Sequence, residues 1–108
     1  MEPKRLYIVS ERMKSKIIWP KNEHPGWTYF GAGSEIKYDF VMELINKHFH
    51  NELLYVCWTR KNSFTVEKNK FLNDAKHIIG NENFIIWNTS FSKAIQFNKI
   101  RVLKCGTI

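Results

Sequence analysis

The sequence predicts an α/β fold, one domain over residues 1–108. The expected architecture is a mostly parallel or mixed sheet of four or five strands, with two main helices and one short helix. Three observations predict it. Leu53 to Trp58 and Phe84 to Trp87 are apolar runs without alternation, as in strands covered on both faces. Other segments space their apolar residues three and four apart, as amphipathic helices do. The two patterns alternate along the chain, which indicates βαβ units with right-handed crossovers.

In chain order, Leu6-Tyr7-Ile8-Val9 reads as a short buried strand. The segment from Glu11 to Gly33 reads as an irregular insert containing Pro20, His24-Pro25-Gly26 and the β-forming run Trp27-Thr28-Tyr29-Phe30. Ile36, Phe40, Val41, Leu44, Ile45, His48 and Phe49 form one stripe of a helix that Ser34 caps, with Glu35 suited to its positive end. After the strand at Leu53–Trp58, a second helix is expected from about Val66 to Ile79, with Phe71, Leu72, Ala75, Ile78 and Ile79 inward and Gly80 closing it. The strand Phe84–Trp87 leads to a short helix carrying Phe91, Ala94, Ile95 and Phe97. Ile100 to Cys105 reads as a final strand. The runs at Leu53–Trp58 and Phe84–Trp87 are expected to be central neighbours, because neither shows a solvent face.

Composition narrows the classes of function. Apolar residues make up 44% of the 108 positions and aromatics 15%, enough for a packed core. Lys and Arg total 17 against 10 for Asp and Glu, giving +7. Such a surface attracts nucleic acid, an acidic protein face or an anionic membrane. The longest apolar run falls far short of the roughly 18–20 residues that span a bilayer, and no apolar signal core follows the N-terminus. The expectation is a cytoplasmic protein with no membrane partner.

The chain carries little catalytic vocabulary. Cys57 and Cys105 lie in strand-like runs and are expected to be buried free thiols. Neither they nor the four histidines show metal-ligand spacing. Asp39 and Asp74 fall on expected exposed helix faces, poor material for a metal-dependent nuclease. Gly31-Ala32-Gly33 precedes a helix but lacks the full dinucleotide or phosphate-loop pattern. No catalytic residue, cofactor or metal is expected, and the chain is read as a non-enzyme.

If the sheet were parallel, Ser10-Glu11-Arg12, Thr59-Arg60-Lys61-Asn62-Ser63 and Asn88-Thr89-Ser90 would gather at the carboxyl ends of the strands. Aromatics and cations interleave through the insert, a vocabulary shared by protein interfaces and single-stranded nucleic-acid platforms. The contact surface is therefore expected at the insert and the adjoining loop, with Arg12, Lys14, Trp27, Tyr29, Arg60 and Lys61 as its residues.

The small size, the α/β order and the absence of an active-site motif resemble the cytosolic immunity proteins of bacterial toxin–immunity pairs, including those of contact-dependent growth inhibition. The stretch from Phe84 to Ile100 has the strand–helix–strand character of such proteins. The resemblance covers architecture rather than a diagnostic motif. It implies a non-catalytic inhibitor that binds one cognate toxin domain. Immunity proteins to cationic nucleases are usually acidic, so a chain at +7 calls for an acidic toxin face or a mostly apolar interface. The alternatives are a small basic nucleic-acid-binding protein, or a small enzyme or nucleotide-binding domain with its site at the strand ends.

Overall fold

The computed structural model describes residues 2–19, 27–32, 35–50 and 52–108. Helix α1 spans Pro3–Lys14, with Pro3 in its first turn and Arg12 and Lys14 in its last. Proline is pre-set for that start, and cations suit the negative end. Three short strands follow: β1 at Thr28–Tyr29, β2 at Gly31–Ala32 and β3 at Glu35–Ile36. Helix α2 covers Tyr38–His48. Strand β4 is Leu53–Cys57 and β5 is Phe64–Glu67. A 3-10 turn at Lys68–Lys70 leads into the short helix α3, Phe71–Ala75. The chain closes with β6 (Phe84–Asn88), β7 (Lys93–Asn98) and β8 (Val102–Thr107).

Six strands form one sheet in the order β1-β8-β7-β6-β4-β5, while β2 and β3 make a separate two-stranded ribbon. Every pair is antiparallel. This corrects the expected parallel or mixed sheet of four or five strands, and the reason is local. Two segments that overlap expected helices supply strands instead. Phe64 to Glu67 alternates, with only Val66 buried, and pairs with β4 through Leu54↔Val66. Lys93 to Asn98 forms a hairpin with β6. No helix of useful length remains to carry a parallel crossover there, so β6 returns antiparallel beside β4.

The expected strand at Leu6–Val9 is also corrected. Leu6, Val9, Ser10 and Met13 form one helical stripe, and that stripe packs on the sheet. Glu35 lies in β3 rather than in the first turn of α2. The capping role read for Ser34 and the turn at His24-Pro25-Gly26 fall outside the described residues.

The sheet is covered on both sides. Val41, Ile45 and Phe49 of the α2 segment, with Phe71, Ala75, Ile78 and Ile79, bury Leu54, Val56, Phe84, Ile86, Ile95 and Phe97. Leu6 of α1, with Ile17 and Phe91, buries Cys57, Ile85, Trp87 and Ala94 on the opposite face. Successive residues of β6 thus serve the two faces in turn, which is why it shows no apolar–polar alternation. Strands β4 and β6 are central neighbours, Val56 opposite Ile86. Trp87 is fully buried, and its Nε1–H donates to Ser10 Oγ at 2.8 Å, tying α1 to the sheet. At the turn after β6, the Asn88 carboxamide oxygen accepts from the backbone N–H of Ser92 and of Lys93, both at 2.9 Å. Asn88 therefore closes a hairpin where the sequence reading places the start of a helix.

Candidate interaction surface

Antiparallel pairing separates the loops expected to meet at one edge. Leu54 stands opposite Asn88 and Cys57 opposite Ile85, so Asn88-Thr89-Ser90 and Thr59–Ser63 lie at opposite ends of the sheet. Arg60 and Lys61 are exposed on the β4–β5 turn, where Lys61 shares a shallow hollow with Trp58, Asp74 and His77. Arg12 lines a shallow depression on α1 with Lys4, Arg5 and Ile8. Lys14 pairs with Glu11 at 3.0 Å on the exposed face of the same helix. Trp27 and Tyr29 lie at the β1 edge. Strands β8, β7 and β6 stand between them and β4, a separation of roughly 19 Å at the usual inter-strand spacing. The six residues fall in three separate pairs: Arg12 and Lys14 on α1, Arg60 and Lys61 on the β4–β5 turn, and Trp27 and Tyr29 at β1.

The last pair belongs to the β1–β8 edge. Its first half is built on alternate residues. Trp27 and Tyr29 project to the same face of the strand. Lys104 of β8 places its Nζ 4.5 Å from the centre of the Trp27 ring and 4.3 Å from that of Trp19. The ammonium sits between two negative ring faces, each contact worth about 0.5–2 kcal/mol. Burial lowers the Lys104 pKa below the usual lysine value. Trp19 is held close by Gly106: a Cβ there would lie 2.6 Å from Trp19 Cε3 and 2.5 Å from Ile17 Cγ2. The backbone contact Ile18 N–H to Thr107 O, at 2.6 Å, fastens this segment to β8.

The second half is a concave pocket of about 500 Å³ where Tyr29, the β2 ribbon and the β7–β8 turn converge. Lys37, Lys99, Ile100 and Arg101 line it, with no carboxylate among the described lining residues. Its backbone is pinned. Phe30 N–H donates to the Arg101 carbonyl at 2.9 Å, and Lys37 N–H to the Phe30 carbonyl at 2.8 Å. Lys99 N–H donates to Asn83 Oδ1 at 2.8 Å, and Ile100 N–H to Asn98 Oδ1 at 3.0 Å. Arg101 has φ +67°, in the left-handed region. Three-residue hairpin loops need that conformation at their last position and usually place Gly there; a side chain with a Cβ costs roughly 1–2 kcal/mol. The side chain of Arg101 crosses the faces of two glycines: a Cβ on Gly31 would meet its Cδ at 2.9 Å, and one on Gly80 its Nε at 3.3 Å. Its Nη1 is buried and has no hydrogen-bond partner among the described residues.

Exposure singles out the same edge. The exposed large hydrophobic side chains among the described residues are Ile18 (66%), Tyr29 (74%), Leu53 (43%), Ile100 (67%) and Ile108 (46%). Tyr29 and Ile100 lie together at the β7–β8 turn, while Ile18 and Ile108 lie at the other end of β8, beside Thr107 and Ser92. Ion pairs are sparse: Lys14–Glu11 and Lys70–Glu67 are the two among the described residues, both exposed and worth little. The cations of the edge carry no such pair among the described residues.

Cys57, Cys105, His48 and His77 make packing or hydrogen-bond contacts elsewhere in the fold. Burial pushes the Cys57 thiol up to about 12, with Glu11 nearby adding to the rise and Ser10 opposing it, and its Sγ–H donates to the Leu6 carbonyl at 3.6 Å. Burial likewise pushes Cys105 up to about 11. Both thiols are free, and they belong to opposite faces of the sheet. His48 Nε2 is 3.0 Å from the Gly106 carbonyl, which requires that nitrogen to carry the proton and donate. His77 lies edge-on to Trp58. Among the described residues no group of three His, Cys, Asp or Glu is placed to hold a metal ion, and no helix is long and apolar enough to cross a membrane.

The sequence reading missed Lys37, Lys99, Ile100, Arg101 and Lys104. It placed Ile100 and Arg101 inside the last strand, where side chains alternate between the two faces of the sheet. The available signal was polar Asn98-Lys99 before Val102, a hairpin turn rather than a helix end. Compared with protein-family models, curated proteins and solved structures, the chain matches none.

Proposed function

We propose that the chain is a non-catalytic binding protein that engages one acidic protein partner through the β1–β8 edge, acting in the cytosol as an immunity protein that neutralises a cognate bacterial toxin domain. The observation that carries this reading is the grouping of exposed Tyr29 and Ile100 with Lys37, Lys99 and Arg101, cations that form no ion pair among the described residues. Interface energy concentrates in Trp, Tyr and Arg surrounded by polar neighbours. Tyr29 and Ile100 supply apolar anchors, and Lys37, Lys99 and Arg101 supply the complement to an acidic face. Two protonated thiols and a histidine bonded to a backbone carbonyl support binding over catalysis.

The test is gel filtration with the toxin domain encoded beside this chain. The two are expected to elute as one complex. Tyr29→Ala should weaken that complex by about 2 kcal/mol, roughly thirty-fold. Its melting temperature should not move, because the ring is 74% exposed. A second reading is favoured by the Trp19–Lys104–Trp27 stack beside exposed Tyr29, an arrangement on which single-stranded nucleic acid also binds. A chain that ignores the toxin domain but shifts a labelled single-stranded oligonucleotide would belong to that reading.

A further inference from the structure

We propose that the pocket under the β7–β8 turn is an oxyanion site, and that the Arg101 guanidinium is its principal recognition group. Among the described residues two positions hold a non-glycine residue with left-handed backbone, and they differ in what the side chain does. Phe91, at φ +53°, is a core plug packed on Tyr55 and Trp87. Arg101, at φ +67°, gains no comparable burial and no hydrogen bond for its Nη1 among the described residues. A glycine would serve the backbone better. The side chain nevertheless lies close over Gly31 and Gly80, although a Cβ would first meet the Glu35 carbonyl at Gly31 and Ile36 Cδ1 at Gly80, both at 2.7 Å.

A partly desolvated guanidinium without a counter-ion attracts an oxyanion more strongly than one in bulk water, because little hydration remains to be lost. Its planar fork matches a carboxylate or a phosphate group. Lys37 and Lys99 add positive charge on the walls, and the wall backbone is already held by hydrogen bonds. The pocket walls are therefore pre-formed, and the Arg101 side chain must turn outward to bring its buried Nη1 to an anion. The site rests on the proposed interface only for the source of the oxyanion. An acidic side chain of a protein partner and a phosphate of a nucleic acid share the chemistry.

The experiment titrates the full-length chain with acetate and, separately, with inorganic phosphate, at fixed ionic strength balanced by chloride. The readouts, present in every variant, are the backbone amide resonances of Gly31, Lys37, Lys99 and Ile100 around the pocket and the melting temperature. We expect a saturable shift with at least one anion, weakened about ten-fold in Arg101→Lys and absent in Arg101→Gly. Arg101→Gly should melt at or above the wild-type temperature, because the left-handed position is relaxed. A preference for acetate supports a protein carboxylate as the source. A preference for phosphate keeps the site but overturns the protein partner of the proposed function. The site itself is overturned if neither anion gives a saturable shift, if Arg101→Gly responds like wild type, or if Arg101→Gly melts well below it, which would make Arg101 a structural residue.

Discussion

Phe91 shows what a side chain must do to hold a left-handed backbone: it is 9% exposed and touches both Tyr55 and Trp87. Removing a buried phenyl group costs about 3–5 kcal/mol, while relaxing the backbone returns only about 1. Phe91→Gly should therefore destabilise the fold by roughly 2–4 kcal/mol in urea unfolding, and an unchanged midpoint would contradict this account of the turn. His48 sets a pH dependence. Its pKa is lowered first by burial, with Lys93 and His50 adding to the fall and the carbonyls of Gly106 and Ala94 opposing it. A base whose folded pKa lies below its unfolded value of about 6.5 binds protons preferentially when unfolded. Its contribution is thus present above pH 6.5 and lost as pH falls through the folded value. His48→Gln should flatten the decline in melting temperature on acidification below about pH 6.5; the same slope in both proteins would rule His48 out.

At the scale of elements, burial was legible where one face repeats and topology was not. Val41, Ile45 and Phe49 are buried as their helical spacing requires. Phe71, Ala75, Ile78 and Ile79 are buried too, although the helix carrying them shrinks to Phe71–Ala75. Leu6 to Val9 misled because four apolar residues in a row fit a strand or a helix; Pro3 and the continuation to Ser10 and Met13 were the deciding signals. Lys93 to Asn98 misled because its hairpin is closed by the side chain of Asn88, a tertiary feature that Asn-Thr-Ser does not distinguish from a helix cap. The join between residues 17–19 and β8 makes its own prediction. Gly106→Ala places a Cβ 2.5 Å from Ile17 Cγ2 and 2.6 Å from Trp19 Cε3. The crowded segment must lift from the sheet at about 1–3 kcal/mol. The expected outcome is a lower melting temperature with red-shifted tryptophan emission; wild-type values for both would show that the segment is not seated on Gly106.

For the whole molecule, two apolar layers on one antiparallel sheet leave few places for a partner. Leu54 and Ile86 are fully buried in the centre of the sheet. A carboxylate at either site would be an unpaired buried charge costing several kcal/mol, so Leu54→Asp and Ile86→Asp should show no cooperative melting by circular dichroism. The interaction surface was half legible. Trp27 and Tyr29 were visible as rings beside cations, whereas Lys99, Ile100, Arg101 and Lys104 become part of the surface only once β8 pairs with β1. Arg60 and Lys61 were drawn in by a parallel topology that does not form. The central claim, that this edge is the binding surface, is tested most directly by amide hydrogen exchange of the chain alone and with a candidate toxin domain encoded beside it. Slowed exchange at Tyr29 to Ala32, at Lys37 and at Lys99 to Lys104 is the predicted result. Slowed exchange confined to the outer face of α1 around Arg12, or to the β4–β5 turn around Arg60 and Lys61, would contradict it.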